Sequence, residues 1–290
     1  MVAHVARLLL AHGERPSILS RGYARRETTS GVTVVSDLTA VRADVAHAGD
    51  EPFLLAQMLP GVPVLVCPSR FDAGREAETR FSVTVHLLDD GFQHVKLARD
   101  IDLLLVDAGD LADRVLPAGR LREPLANAAS AHALIGSAAD RGAVASTADR
   151  LGISQTFTMT RALGTPTALF GSALPADVPV LAAAGIARPE RFFDDLRAAG
   201  YQVAGTLTFP DHHAYSAADL HRIVRTAIAH GAQGVVTTGK DAVKMTGLET
   251  PALPFAAVPL TTQIEPAGAF APWLLAQLAR ARQERSDARP

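Results

Sequence analysis

The chain has 290 residues, 48% hydrophobic and 20% charged, which is enough apolar material for one large domain or two smaller ones. Its 28 basic and 30 acidic side chains give a formal net charge of −2, no footprint for generic nucleic-acid binding. A single cysteine, Cys67, excludes an intrachain disulfide and a cysteine-built zinc cluster, and no apolar run approaches the roughly 20 residues needed to cross a bilayer. The expected setting is the cytoplasm, with peripheral contact to a membrane left open.

In chain order, residues 1–12 read as a helix, with Val2, Val5, Leu8 and Leu9 at helical spacing, and residues 17–20 as a strand. A helix over 52–59 precedes strands at 62–67, 83–88 and 103–107. Small and polar residues dominate 136–150, and 153–161 then alternates like an exposed strand. Strands at 178–183, 203–209, 234–238 and 255–259 alternate with helices over 189–199 and 217–230, and an amphipathic helix over 272–282 ends the pattern. Several strands are apolar throughout, as parallel strands covered on both faces are. Alternation of strand and helix predicts a doubly wound α/β architecture. The expected division is a first domain over 1–150, a linker strand region over 151–175, a smaller α/β domain over 176–264 and a C-terminal helix and tail over 265–290. The opening helix lacks the strand and turn that should precede it in a βαβ unit.

The segment 83–94 ends a mostly apolar strand in Asp89-Asp90-Gly91-Phe92-Gln93-His94. Open α/β sheets place ligands at that end of a strand. This is the layout of a Walker B strand, and Asp89, Asp90 and Gln93 suit Mg²⁺, which takes one or two carboxylates plus water and phosphate oxygens. A capped turn explains the same residues about as well. Gly49-Asp50-Glu51-Pro52 is a good helix start, and its functional reading makes Asp50 a general base. Phe209-Pro210-Asp211-His212-His213 follows a strand; alone it reads as a solvated loop, since three adjacent positions rarely converge on one ion. Basic residues gather in Ser20-Arg21-Gly22-Tyr23-Ala24-Arg25-Arg26 and in Leu116-Pro117-Ala118-Gly119-Arg120-Leu121-Arg122-Glu123-Pro124, where arginines can clamp phosphate or simply be solvated. Gly234-Val-Val-Thr-Thr-Gly239-Lys240-Asp241 fits GxxxxGK, but its middle reads as strand and Asp241 stands where a magnesium-binding hydroxyl belongs. It is rejected as a phosphate loop, with Lys240 kept as a secondary contact.

These segments, together with 184–193 and Thr237-Thr238-Gly239-Lys240-Asp241-Ala242-Val243, occur in one order that resembles the tetraacyldisaccharide 4'-kinase (lipid A 4'-kinase) family from about Val2 to Val258. The resemblance implies a two-domain P-loop-kinase-like fold, a doubly wound parallel sheet with a second, smaller α/β domain. It implies transfer of the γ-phosphoryl group of ATP to the 4'-hydroxyl of a lipid A disaccharide precursor, with Mg²⁺, at the cytoplasmic face of the inner membrane. No nucleic acid and no obligate protein partner are expected. Matched motif to motif, Asp50 is the catalytic base with His212 paired to it, and Asp89, Asp90 and Gln93 serve the metal and nucleotide. Arg21, Arg70, Arg122 and Glu123 are weaker candidates for substrate or nucleotide contacts.

The sequence departs from the family at Gly239, where the family usually has Glu, and in lacking the Gly-rich phosphate loop that precedes the family's first helix. The expectation is that Met1 is an internal methionine and that the 290 residues as they stand bind ATP poorly. The rival readings are an inactive lipid- or nucleotide-binding paralogue and a GTPase-like metallochaperone suggested by Asp-His-His.

Overall fold

Apolar strands and amphipathic helices alternate through a computed structural model that describes every residue except Ala24, Thr28, Thr29, Ala176, Arg289 and Pro290. One residue of the first basic loop, the first residue of the expected smaller domain and the end of the expected tail therefore lie outside the described residues. Helix α1 (Val2–Ala11) buries Ala3, Val5, Ala6 and Leu9 and leads to β1 (Pro16–Ser20), buried at every position. Strand β2 (Thr33–Ser36), the single turn α2 (Val45–Ala48), helix α3 (Asp50–Met58) and β3 (Val64–Val66) follow. Helix α4 (Arg70–Phe81) returns the chain to β4 (Val85–Leu88).

Next come β5 (Leu103–Leu105), α5 (Ala108–Leu111), a 3-10 turn at Leu125–Ser130, β6 (Ala133–Ser137), α6 (Arg141–Leu151) and β7 (Thr156–Leu163). The remainder runs β8 (Thr167–Phe170), β9 (Val180–Ala184), α7 (Pro189–Ala198), β10 (Val203–Thr208), α8 (Ala217–Ala229), β11 (Gly234–Thr238), α9 (Gly239–Met245), β12 (Phe255–Val258), β13 (Leu260–Glu265) and α10 (Ala267–Asp287). Side-chain caps set several helix starts: Ser69 Oγ accepts from Asp72 N, Thr238 Oγ1 from Asp241 N, and Ser216 and Asp219 form a reciprocal box at α8.

The α/β class with parallel strands is as expected. The sheet orders are β2-β3-β1-β4, β10-β9-β11-β12-β8 and β13-β7-β6-β5. β1 runs parallel to β3 and β4, and β9 to β10 and β11; β2 and β8 pair antiparallel with their neighbours. Two compact units divide the chain, residues 1–89 with 162–261 and residues 90–161 with 262–290. Each unit takes two stretches of chain, so the division is interleaved where the sequence suggested a succession at 150 and 175. The stretch 136–150 contains α6, and the alternating stretch near 153–161 supplies β7, which pairs parallel with β6 and buries Phe157 and Thr158. Small residues such as Val144 and Ala148 suffice for α6 because it packs against β6, where Gly136 lets Val144 approach.

In the first unit each sheet has apolar residues on both faces. Ile18, Val35, Val64 and Val66 pack with Ala3, Ala6, Ala56 and Leu59 on one side of the first sheet, and Leu19, Leu65 and Cys67 with Ala73, Ala77 and Phe81 on the other. The second sheet is covered by Leu220, Ile223 and Val224 of α8 and by Phe192, Phe193 and Leu196 of α7. In the second unit Phe157, Phe270 and Trp273 form an aromatic cluster, with Phe157 and Phe270 edge to face at 5.0 Å. Phe192 is 1% exposed, so Phe192→Ala is expected to lower unfolding free energy by about 3–5 kcal/mol, read as a lower urea midpoint.

Candidate functional site

The first unit gathers its polar chemistry at the C-terminal ends of its parallel strands. In the first sheet these ends lead into Arg21-Gly22-Tyr23 after β1, Cys67 to Arg70 after β3, and Asp89 after β4. Cys67 N donates to Ser20 O at 3.1 Å and Asp89 N to Leu19 O at 3.1 Å, so the strands stay aligned to that edge. Arg70, buried at 3% exposure, sends Nη2 to the Asp89 carbonyl oxygen at 3.3 Å. Arg21 is exposed on its loop.

Asp50 reaches the same edge through one glycine. Gly49 has φ +86°, and a Cβ there would stand 2.9 Å from the Tyr23 carbonyl oxygen, so only glycine fits the turn. Asp50 is therefore the first residue of α3, its side chain 5% exposed, with Oδ1 accepting from Glu51 N at 3.1 Å. An anion at that end of a helix is favoured by the helix dipole.

The second sheet of the unit supplies the groups around it. Loop 209–213 after β10 holds His212 at φ 58°, and the ring Nδ1 lies 3.0 Å from Asp50 Oδ2 and 3.2 Å from Oδ1. A contact 162 residues apart in sequence thus joins the two sheets. The tyrosine of the β1 loop, Tyr23, meets the His212 ring edge-on at 5.6 Å between centroids. Among the described residues only Ser82, Asp90 and His212 are non-glycine with positive φ, and two of these three were singled out by sequence. Left-handed backbone at such residues is held by its surroundings, a pattern concentrated at functional sites.

Strand β11 runs directly into α9, so residues 234–241 form a strand–helix junction with no phosphate-cradling loop, as the sequence indicated. Helix α9 presents two lysines to Asp50. Lys240 Nζ lies 3.9 Å from Asp50 Oδ2, 3.1 Å from Glu51 and 3.5 Å from Asp211. Burial pulls the Lys240 pKa down, but Glu51, Asp50 and Asp211 outweigh it and hold the ammonium above the usual lysine range. Lys244 Nζ lies 3.8 Å from Asp50 Oδ2 and 3.0 Å from Asp241 Oδ1. The sequence pointed to Lys240 only in passing and missed Lys244, Asp241 and the participation of Glu51 and Asp211. The available signal was spacing, since Lys240 and Lys244 are four apart and so share a helix face.

The two histidines of Asp-His-His diverge. His213 Nε2 turns to Asp219 at 3.3 Å and its ring packs between Phe209 and Tyr215. No group of three or more His, Cys, Asp or Glu among the described residues is placed to cage a metal ion.

In the second unit Asp90 Oδ1 accepts from Arg122 Nη2 at 3.4 Å, both side chains being exposed. Gln93 Nε2 and Asn127 Nδ2 each donate to one oxygen of Glu123 at 2.8 Å, and these bonds, Asn127 foremost, hold the Glu123 carboxyl below the usual range. Within this unit Asp90, Gln93 and Glu123 carry oxygens of the hard kind that magnesium takes. Asp90 is 74% exposed at its side chain, so its carboxylate keeps lone pairs open to an ion, and the donor chemistry fits Mg²⁺.

The contrast between two glycines is testable. A Cβ at Gly239 would meet only the Leu54 side chain, at 3.5 Å, an ordinary contact. Gly239→Ala is expected to leave stability unchanged or raise it by up to about 0.5 kcal/mol, whereas Gly49→Ala should cost more than about 1 kcal/mol and displace Asp50. Thermal melts of the two variants check both.

A family model described as tetraacyldisaccharide-1-P 4'-kinase matches residues 1–279. The tetraacyldisaccharide 4'-kinase of Pelobacter propionicus is 40% identical over 256 residues, covering 86% of this chain and 70% of that one. That of Koribacter versatilis is 40% identical over 260 residues, covering 87% and 76%. The crystal structure of "apo" form LpxK from Aquifex aeolicus in complex with ATP superposes with a TM-score of 0.73 at 31% identity, over 97% of this chain and 82% of that one. With the family model spanning almost the whole length, this chain belongs to the tetraacyldisaccharide-1-P 4'-kinase family.

Proposed function

We propose that this protein transfers the γ-phosphoryl group of ATP to the 4'-hydroxyl of a tetraacyldisaccharide 1-phosphate, a step in lipid A assembly, with Asp50 as the general base. The observation that carries the reading is the buried Asp50 carboxylate, 3.0 Å from His212 and flanked by Lys240 and Lys244. In the transfer the sugar oxygen forms a bond to the γ-phosphorus, the bond from that phosphorus to the β–γ bridging oxygen breaks, ADP departs, and the hydroxyl proton passes to Asp50. A sugar hydroxyl is a poor nucleophile until a carboxylate takes its proton in the transition state. His212 donates through Nδ1–H to the ionised carboxylate and fixes the direction of its remaining lone pairs.

Phosphoryl transfer depends on positioning and charge neutralisation more than on covalent chemistry by the protein. Asp89, Asp90 and Gln93 would hold Mg²⁺, which when bound neutralises phosphate charge, and Glu123 would orient Gln93 beside the nucleotide. Arg21, Arg70 and Arg122 are assigned to anionic groups of the substrate and nucleotide, for which a guanidinium provides fixed donors.

A substrate with four acyl chains resides in a bilayer, each buried methylene adding about 0.8 kcal/mol. The protein therefore works at a membrane surface, on the side where ATP is found, the cytoplasmic face of the inner membrane. Among the described residues no helix is long and apolar enough to cross a membrane.

The test is a phosphorylation assay of the disaccharide 1-phosphate with the protein expressed from its native gene. Asp50→Asn, nearly isosteric and unable to accept the proton, should lower kcat by about 10²–10⁴-fold with a small change in KM. Full turnover by that variant would contradict the assignment of the base.

A further inference from the structure

The most buried cation near Asp50 flanks the carboxylate but has been given no step in the transfer above. Lys244 is 6% exposed at its side chain, against 18% for Lys240. Its Nζ lies over the Tyr215 ring, 5.5 Å from the centroid. It has two anionic neighbours, Asp241 at 3.0 Å and Asp50 at 3.8 Å, and neither contact is an aligned hydrogen bond. A buried ammonium is tolerated only where fixed negative charge answers it.

Asp241 is that fixed charge. It is fully buried, and its Oδ2 accepts from Gly185 N at 2.9 Å and from Thr238 Oγ1 at 2.7 Å. A Cβ at Gly185 would stand 2.9 Å from the Tyr215 hydroxyl and 3.2 Å from Asp241 Oδ1, so glycine is needed for this carboxylate to reach the backbone. Asp241 thus makes bonds at the ends of β9 and β11 and cannot swing. Burial and the Asp241 charge push the Tyr215 hydroxyl well above the usual tyrosine range, so it stays neutral beside the pair.

Lys240 is differently placed. It divides itself among Glu51, Asp211, Asp50 and the His212 Nε2 at 3.4 Å. Its charge is shared with exposed groups that solvent and substrate can draw away. The groups around Asp50 are then Glu51 on its own helix, Asp211 and His212 on the loop after β10, and Lys240, Asp241 and Lys244 on α9. Four carboxylates face two ammonium groups and one imidazole, so an anionic triphosphate approaching Asp50 meets a negative field unless the cations are held in place.

We propose that Lys244 is a positioning residue for phosphoryl transfer: clamped by Asp241, its buried ammonium aims the Asp50 carboxylate and offsets its charge as the triphosphate approaches. This rests on the reading of Asp50 as the base. It gives Thr238-Gly239-Lys240-Asp241-Ala242-Val243-Lys244 a role that the GxxxxGK pattern disguised.

Three variants test it: Lys244→Met, which keeps an unbranched stem, Lys244→Arg, which keeps the charge, and Asp241→Asn, which loosens the clamp. The readouts are the kcat/KM–pH profile and the ¹⁵N NMR titration of the His212 ring. Lys244→Met should lower kcat by about 10–100-fold with the KM for the disaccharide nearly unchanged, and move the acid limb of the profile up by about one pH unit. The His212 titration should move up as well, because the Asp50 carboxylate that its ring meets is no longer offset by Lys244. Lys244→Arg should restore part of both. A folded Lys244→Met protein with unaltered profile and unaltered His212 titration overturns the proposal, leaving Lys244 as packing only. If Lys244→Met fails to fold, Asp241→Asn decides by the same two readouts, and an unchanged result there overturns the proposal equally. Should Asp50→Asn retain turnover while Lys244→Met still shifts the His212 titration, the base assignment fails and the electrostatic contact survives.

Discussion

A carboxylate taken out of water must have its charge answered, and the site is organised around that requirement at Asp50. Three separate pieces of chain meet it: the N-terminus of α3, the loop after β10, and α9, which supplies a lysine from each of two turns. None of these is close to another in sequence. The interaction therefore links the two sheets of the first unit, and the local backbone is bent to permit it at Gly49 and at His212. Such strain persists only where surrounding structure holds it.

The same logic separates the two acidic centres. Asp50 is buried among cations and has its lone pairs directed by His212, which suits acceptance of a proton. Asp90, next in the chain to Asp89 at the end of β4, is exposed and touches only the exposed Arg122 among the contacts described, which suits an ion and its water shell. Two carboxylate environments, one dry and cationic, one wet and open, are what the proposed roles of base and metal ligand call for. The helix-edge and strand-edge positions follow from the architecture, since parallel strands deliver loops to one end.

Much of this was legible in the sequence. All eight strands read from the sequence are present, because most of them are short apolar or β-branched runs, and the 189–199 and 217–230 helices carry clean periodicity. Helix α4 escaped notice because it is mostly charged and buries only a narrow stripe, Ala73, Ala77 and Phe81, besides Arg70 and Gly74. Stretch 136–150 was read as leading to a domain break near 150 because small residues carry little periodic signal, yet they allow close packing of α6 on β6. The C-terminal helix begins at Ala267, ahead of Pro272, which lies inside it and removes one backbone hydrogen bond. For the site, Asp50 was already a base candidate from its Gly-Asp-Glu-Pro segment, and the family resemblance added His212. Lys244 did not, because a lysine in a short helix is ordinary until its burial against Asp241 and Asp50 is seen.

The account stands on Asp50 and His212 acting as one unit, and a double-mutant cycle on kcat measures that directly. Asp50→Asn, His212→Gln and the double variant are to be compared under single-turnover conditions. The account predicts strong non-additivity, the double variant being little slower than Asp50→Asn alone. Losses that multiply independently would contradict it.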